Sequence, residues 1–114
     1  MKNIRISIIV LLAFLFSSLE GIAQVDTVKI ATSSLCSTCK KKIEHDLSFE
    51  KGVKKSEVDI DTKVVTVIYD SKKTNPDKIR MAITKSGYDA DSLKADPKAF
   101  NRLPDCCKDP DAHH

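Results

Sequence analysis

The residues best equipped for chemistry are four cysteines, Cys36, Cys39, Cys106 and Cys107. The first two lie in Leu35-Cys36-Ser37-Thr38-Cys39-Lys40-Lys41-Lys42, three positions apart and followed at once by three lysines. At the start of a helix, such a pair meets free backbone N–H groups and the positive end of the helix dipole, which favour thiolate over thiol. Lys40, Lys41 and Lys42 would add positive charge, either as a solvated face or to offset a negative site and steer an acidic partner. Two soft thiolates with no third ligand in the motif suit an ion of low coordination, Cu(I) or Hg(II), better than zinc, which prefers four ligands. The same spacing serves thiol–disulfide exchange, and four cysteines allow three pairings that spacing cannot decide. A metal claw, a redox pair and a structural staple all remain open on the motif alone. Against a thioredoxin-type site, Leu35 rather than an aromatic precedes Cys36 and Trp is absent; Pro76 reads as a helix start rather than part of a facing loop.

Where the chain works bears on all three readings. Lys2 and Arg5 precede an apolar run from Ile6 to Phe16, and Gly21-Ile22-Ala23 supplies small residues where a signal peptidase reads. Residues 1–23 are expected to be a cleaved secretory signal; the run is shorter than the ~20 apolar residues of a membrane span. No cysteine stands at the cleavage site to take a lipid. Cleavage would leave about 91 residues, enough for one small domain. Without Lys2, Arg5 and Glu20 the balance is 17 basic to 15 acidic residues, a near-neutrality that argues against nucleic acid or an anionic membrane as partner. Export, periplasmic or secreted, also places the cysteines where disulfides persist.

The elements that must hold the cysteines follow from periodicity. Val25–Ala31 alternates and reads as a strand. From Cys39 to about Phe49, Ile43 and Leu47 stand four apart on a helix with a lysine-rich outer face, and Gly52 is expected to close it. Ser56–Asp61, with Val58 and Ile60 on one face, and Lys63–Asp70, with Val65, Val67 and Tyr69 on one face, read as a hairpin across Asp61-Thr62-Lys63. Asn75-Pro76 opens a second helix with Ile79, Ala82 and Ile83 inward, Gly87 closes it, and Tyr88-Asp89-Ala90 begins a last strand. This order predicts an α+β fold, the ferredoxin-like βαββαβ sandwich, with two helices on a four-stranded antiparallel sheet. Pro97, Pro104 and Pro110 punctuate residues 92–114, expected to be a polar tail with room for one helical turn.

From about Val28 to Asp91 the chain resembles the heavy-metal-associated domains of copper chaperones, metal-pumping ATPases and periplasmic mercury-binding proteins. The resemblance rests on Cys36-Ser37-Thr38-Cys39, Ile43-Glu44, Leu47, Gly52-Val53, Val58-Asp59-Ile60, Val65, Val67, Tyr69, Ile79, Ile83 and Ser86-Gly87-Tyr88-Asp89-Ala90, without a gap from Cys36 to Tyr88. It implies a domain over residues 24–91 that binds a soft metal at Cys36 and Cys39 and passes it on by ligand exchange. It also implies that Tyr88 packs beside the site, or else is a core tyrosine. The family's Gly-Met before the metal loop is replaced by Ser33-Ser34-Leu35, with Leu35 a candidate for the methionine's packing role, and Lys40 stands where an apolar residue is common. The tail departs furthest. Cys106 and Cys107 are additional metal ligands, disulfide partners or neither, and zinc re-enters if they fold back. His113 and His114 are expected to fray and His45 to be a surface residue.

The sequence thus points to an exported, non-enzymatic carrier that binds Cu(I) first, or Hg(II) or Zn(II), at Cys36 and Cys39. It would pass the metal to a metal-transporting ATPase or efflux component that has its own thiolates, with no membrane span after cleavage and an oligomeric state the sequence leaves open. The other readings are a thiol–disulfide exchange protein and a permanently bonded staple.

Overall fold

A computed structural model describes residues 24–108; the expected signal segment, His113 and His114 lie outside them. Three strands, β1 (Val25–Ala31), β2 (Val53–Asp59) and β3 (Val64–Asp70), form an antiparallel sheet in the order β1-β3-β2. Helices α1 (Ser37–Ser48) and α2 (Pro76–Lys85) cover one face of it, and two short helices, α3 (Pro97–Asn101) and α4 (Asp105–Lys108), follow. Among the described residues, no helix is long and apolar enough to cross a membrane.

β3 lies in the centre because it alternates most strictly: Val65, Val67 and Tyr69 turn inward between half-buried neighbours. They meet Ile30 of β1, Val58 of β2, Ile43 and Leu47 of α1, and Ile79 and Ile83 of α2 in one core. Removing the side chain of a wholly buried Ile such as Ile43 or Ile79 would cost about 2–5 kcal/mol. β2 begins at Val53 and ends at Asp59, earlier than its alternation suggested, so Ile60 falls in the exposed turn. The Asp59 carboxylate accepts from the backbone N–H groups of Asp61 and Thr62, and that local turn stops the strand.

The expected fourth strand is a correction. Residues 88–91 make two isolated bridges, Ala90 to Thr32 and Ala90 to Leu93, and the described sheet has three strands. Ala90 and Leu93 exchange two backbone hydrogen bonds, and Asp91 adopts φ +53°, so the chain reverses after a single residue of pairing. The Asp91 N–H still donates to the Ala31 carbonyl, but the Ala31 N–H donates to the Asp91 carboxylate rather than to a backbone carbonyl. Arg80 holds that carboxylate at 2.8 Å.

Two short helices form in the tail where one turn was expected, and they pack on the domain: Leu103 and Cys107 are buried in the common core. Asp96 caps α3 by accepting from the Ala99 N–H, with Pro97 in its first turn, and the Asp96 N–H donates to the Thr84 carbonyl at the end of α2. Gly87, at φ +106°, permits the approach. A Cβ there would stand 3.0 Å from the Ala99 carbonyl oxygen and 3.1 Å from Leu103.

Candidate metal centre

Cys36 is the N-cap of α1 and Cys39 lies in its first turn. The Cys36 backbone is extended, its carbonyl accepts from the Lys40 N–H, and its side chain makes no capping hydrogen bond. A sulfur thus occupies the place where serine or aspartate would normally satisfy the helix start. The loop before it is held by hydroxyls. Thr32 donates to the Lys63 carbonyl in the β2–β3 turn, its oxygen lies 2.9 Å from that of Ser34, and Ser33 accepts from the Asp89 N–H.

This loop alters one expectation. Ser34 is wholly buried whereas Leu35 is only half-buried against the core edge, so the inward position is taken by a hydrogen-bonded serine. The alternation of Val28, Ile30 and Thr32 carried to Ser34 was the available signal, but an apolar residue is the usual choice for such a place.

All four cysteines converge as free thiols. Cys36 Sγ lies 3.4 Å from Cys39 Sγ, 3.4 Å from Cys106 Sγ and 4.0 Å from Cys107 Sγ. Cys39 and Cys107 are the tightest pair at 2.6 Å, and Cys106 and Cys107 are 4.0 Å apart. Cys36, Cys106 and Cys107 satisfy the geometry of a three-ligand metal group. The cluster is layered: Cys39 and Cys107 are buried, and Cys36 and Cys106 are half-exposed. Cys39 therefore points into the core rather than to the surface. Adjacent cysteines splay apart in a strand; here a helical turn, with the Cys107 N–H bonded to the Pro104 carbonyl, turns both toward α1.

The electrostatics differ between the layers. Burial opposes ionisation of Cys36, but the Cys39 backbone N–H, the Cys106 and Cys39 thiols and the Thr38 N–H outweigh it and bring its pKa down to about 7. Cys107 moves the opposite way, pushed up by burial and by its bond to Cys39. Tyr88 is wholly buried. Burial first, then the Cys107 and Cys39 sulfurs, raise its phenol well above the ordinary range, and no hydrogen bond of good geometry closes on its hydroxyl. It is therefore both a core tyrosine and a neighbour of the sulfurs.

The lysines contribute less than their spacing implied. Lys40 donates to the Val58 carbonyl at 2.7 Å and pairs with Glu44 at 3.0 Å, while Glu44 accepts from the Val58 N–H. Together they occupy the outward backbone groups of Val58 on the edge strand β2, a structural task. Lys42 pairs with Asp46 and Lys41 is exposed. His45 is an exposed residue against the ring of Phe49, as expected.

A family model described as the heavy-metal-associated domain matches residues 34–89. A mercuric transport protein periplasmic component of Acinetobacter calcoaceticus is 35% identical over 88 residues, covering 70% of this chain and 96% of that protein. The chain belongs to the heavy-metal-associated domain family. Among solved structures, the CopZ metallochaperone superposes with a TM-score of 0.55 at 27% identity, over 57% of this chain and 98% of its own. Oxidized MerP from Ralstonia metallidurans CH34 does so with a TM-score of 0.55 at 28% identity, over 58% and 93%. These are carriers rather than catalysts, and the heavy-metal-associated match ends before Cys106 and Cys107.

Proposed function

We propose that this chain is an exported carrier that binds a soft metal ion as cargo at Cys36 and Cys39 and yields it to a partner by thiolate exchange. The observation that carries the reading is the placing of both cysteines at the uncapped start of α1, 3.4 Å apart, inside the span matched by the heavy-metal-associated model. Residues 1–23 are the cleaved signal, 24–91 the carrier domain and 92–114 its extension. Hg(II) is the leading cargo, supported by the length and identity of the match to a periplasmic mercuric transport component. Cu(I), which the two-thiolate motif favours by itself, is the second candidate, supported by the likeness to a metallochaperone. The receiving partner is a metal-transporting ATPase or efflux component that presents thiolates of its own, because exchange needs an incoming sulfur for each one that leaves.

A thiol–disulfide exchange role is the competing reading, favoured by the approach of Cys39 and Cys107 to 2.6 Å. Native mass spectrometry with thiol counting, on protein taken from its exported compartment before any reductant, separates the two. A bound mercury or copper mass with Cys36 and Cys39 protected is expected. A metal-free mass four hydrogens lighter, which regains those hydrogens on mild reduction yet still takes up neither Hg(II) nor Cu(I), would remove the carrier reading.

A further inference from the structure

The sulfurs of Cys106 and Cys107 are brought to α1 by a docked segment with its own anchors. Leu103 is buried in the core, Gly87 leaves room for Ala99 and Leu103, and the Asp96 N–H is tied to the end of α2. From this geometry we infer that Cys36, Cys39, Cys106 and Cys107 form a single closed site for a divalent d10 ion. In it, α4 is a displaceable arm that supplies one or two of three or four thiolates. The inference rests on the carrier reading and adds the ligands that the CxxC motif lacks.

Distances favour this number of ligands. A tetrahedral ion with metal–sulfur bonds of about 2.3 Å needs sulfurs about 3.8 Å apart, and a linear two-sulfur ion needs about 4.6 Å. Cys36–Cys39 and Cys36–Cys106 at 3.4 Å, and Cys36–Cys107 and Cys106–Cys107 at 4.0 Å, bracket the tetrahedral value. Of these close pairs Cys39–Cys107, at 2.6 Å, must open by about 1 Å, and Cys39 and Cys106, which make no such close contact, must draw together.

Tyr88 supplies a second and independent observation. Its hydroxyl is buried without a hydrogen-bond partner. The sulfurs of Cys107 and Cys39 are the polar groups that act on it, and metal-bound thiolates would accept its proton in a hydrogen bond. The orphan donor thus acquires a purpose when the inner pair is metallated.

The layering sets the order of transfer. Cys36 and Cys106 are reached from solvent, while Cys39 and Cys107 are not. A partner thiol bonds to the ion as the Cys106–metal bond breaks, its proton passing to the departing sulfur. Cys107 then leaves in the same way, and α4 swings off before the α1 pair lets go. Until then the buried Cys39 and Cys107 hold the ion and slow its loss to small competing thiols.

The test uses the mature protein loaded with one equivalent of Hg(II), with X-ray absorption counting sulfurs. Three or four are expected in the wild type, one fewer in Cys106→Ser and two in Cys106→Ser/Cys107→Ala. Loss of the arm should also speed extraction by a small dithiol about 10- to 100-fold, since even outer-shell losses around a metal act on that scale. Cys106 is half-exposed, so Cys106→Ser keeps the test valid if the double variant folds poorly. Tyr88→Phe should keep the sulfur count and still speed extraction. Two sulfurs in the loaded wild type, with Cys106 and Cys107 open to alkylation, would overturn the closed site and leave the carrier intact. Failure of the wild type to bind at all would overturn both.

Discussion

Cys36 and Asn75 hold the same place in the two halves of the fold, each the last extended residue before a helix. Their backbones are nearly superposable, φ −153° and ψ 176° against φ −149° and ψ 169°. Asn75 uses its side chain to accept from the Lys78 N–H, and Pro76 follows at a position that has no N–H to satisfy. Cys36 closes no such cap, and the Cys39 and Thr38 N–H groups at the start of its own helix instead favour its thiolate. One helix start is built for stability. The other gives up a cap to keep backbone donors for an anion, the general property of helix N-termini that phosphate sites also use.

The largest expected effect concerns the cargo. Cys36→Ser or Cys39→Ser should lower Hg(II) or Cu(I) affinity by more than about 100-fold, beyond what outer-shell changes cause, whereas Asn75→Ala should leave it unchanged; competition with a chelator of known affinity reads both. Equal losses at the two helix starts would end the contrast between them.

Reactivity provides the next test. The folded Cys36 pKa is lowered to about 7 from an ordinary value of 9.0, so its thiolate is favoured by folding. The sign follows: this contribution to stability is full above pH 9.0, shrinks as pH falls toward about 7 and is absent below it. Alkylation of Cys36 by iodoacetamide should therefore reach half its limiting rate near pH 7, while Cys107, raised by burial, stays unreactive until the protein unfolds. A half-point near 9 for Cys36 would show that the helix start does nothing for the sulfur.

The ends of the helices sharpen the comparison further. Gly52 and Gly87 both have positive φ, so alanine at either should cost at least about 1 kcal/mol in urea unfolding. A Cβ at Gly52 meets the Thr74 side chain, whereas one at Gly87 meets the Ala99 backbone beneath the tail. Gly87→Ala should accordingly expose Cys107 to alkylation, and Gly52→Ala should not.

The smallest effects belong to the caps themselves. Asn75→Ala should destabilise by about 0.5–2 kcal/mol, and Cys36→Ser, by supplying the missing oxygen, should stabilise the metal-free protein by up to about 1 kcal/mol. Thermal melts of the reduced apo proteins would show this opposite sign, and a destabilised Cys36→Ser would mean that its packing outweighs the cap.

Much of the framework was legible because it is local. Strand alternation, the four-residue spacing of Ile43 and Leu47, and the Asn75-Pro76 signature each act within a few residues, and β1, β3 and both main helices lie where those signals point. The boundaries of β2 were less legible, since a carboxylate turn at Asp59 outranked the apolar Ile60. The fourth strand failed for a related reason: one left-handed residue, Asp91, diverts a sequence that otherwise reads as extended.

The sequence by itself determined the paired thiols, their place at a helix start and the two-layer fold that holds them, because residue type and short-range periodicity carry those facts. Only the tertiary structure decided that Lys40 serves the edge of β2, that Ser34 rather than Leu35 turns inward, and that Cys106 and Cys107 come within 2.6–4.0 Å of the first pair. The first two depend on contacts between elements, such as Lys40 to Val58, and the last on contacts across some 70 residues, such as Cys36 to Cys106. The docking of Leu103 beside Gly87 brings the tail cysteines there, and no repeat, spacing or local propensity in the tail encodes it.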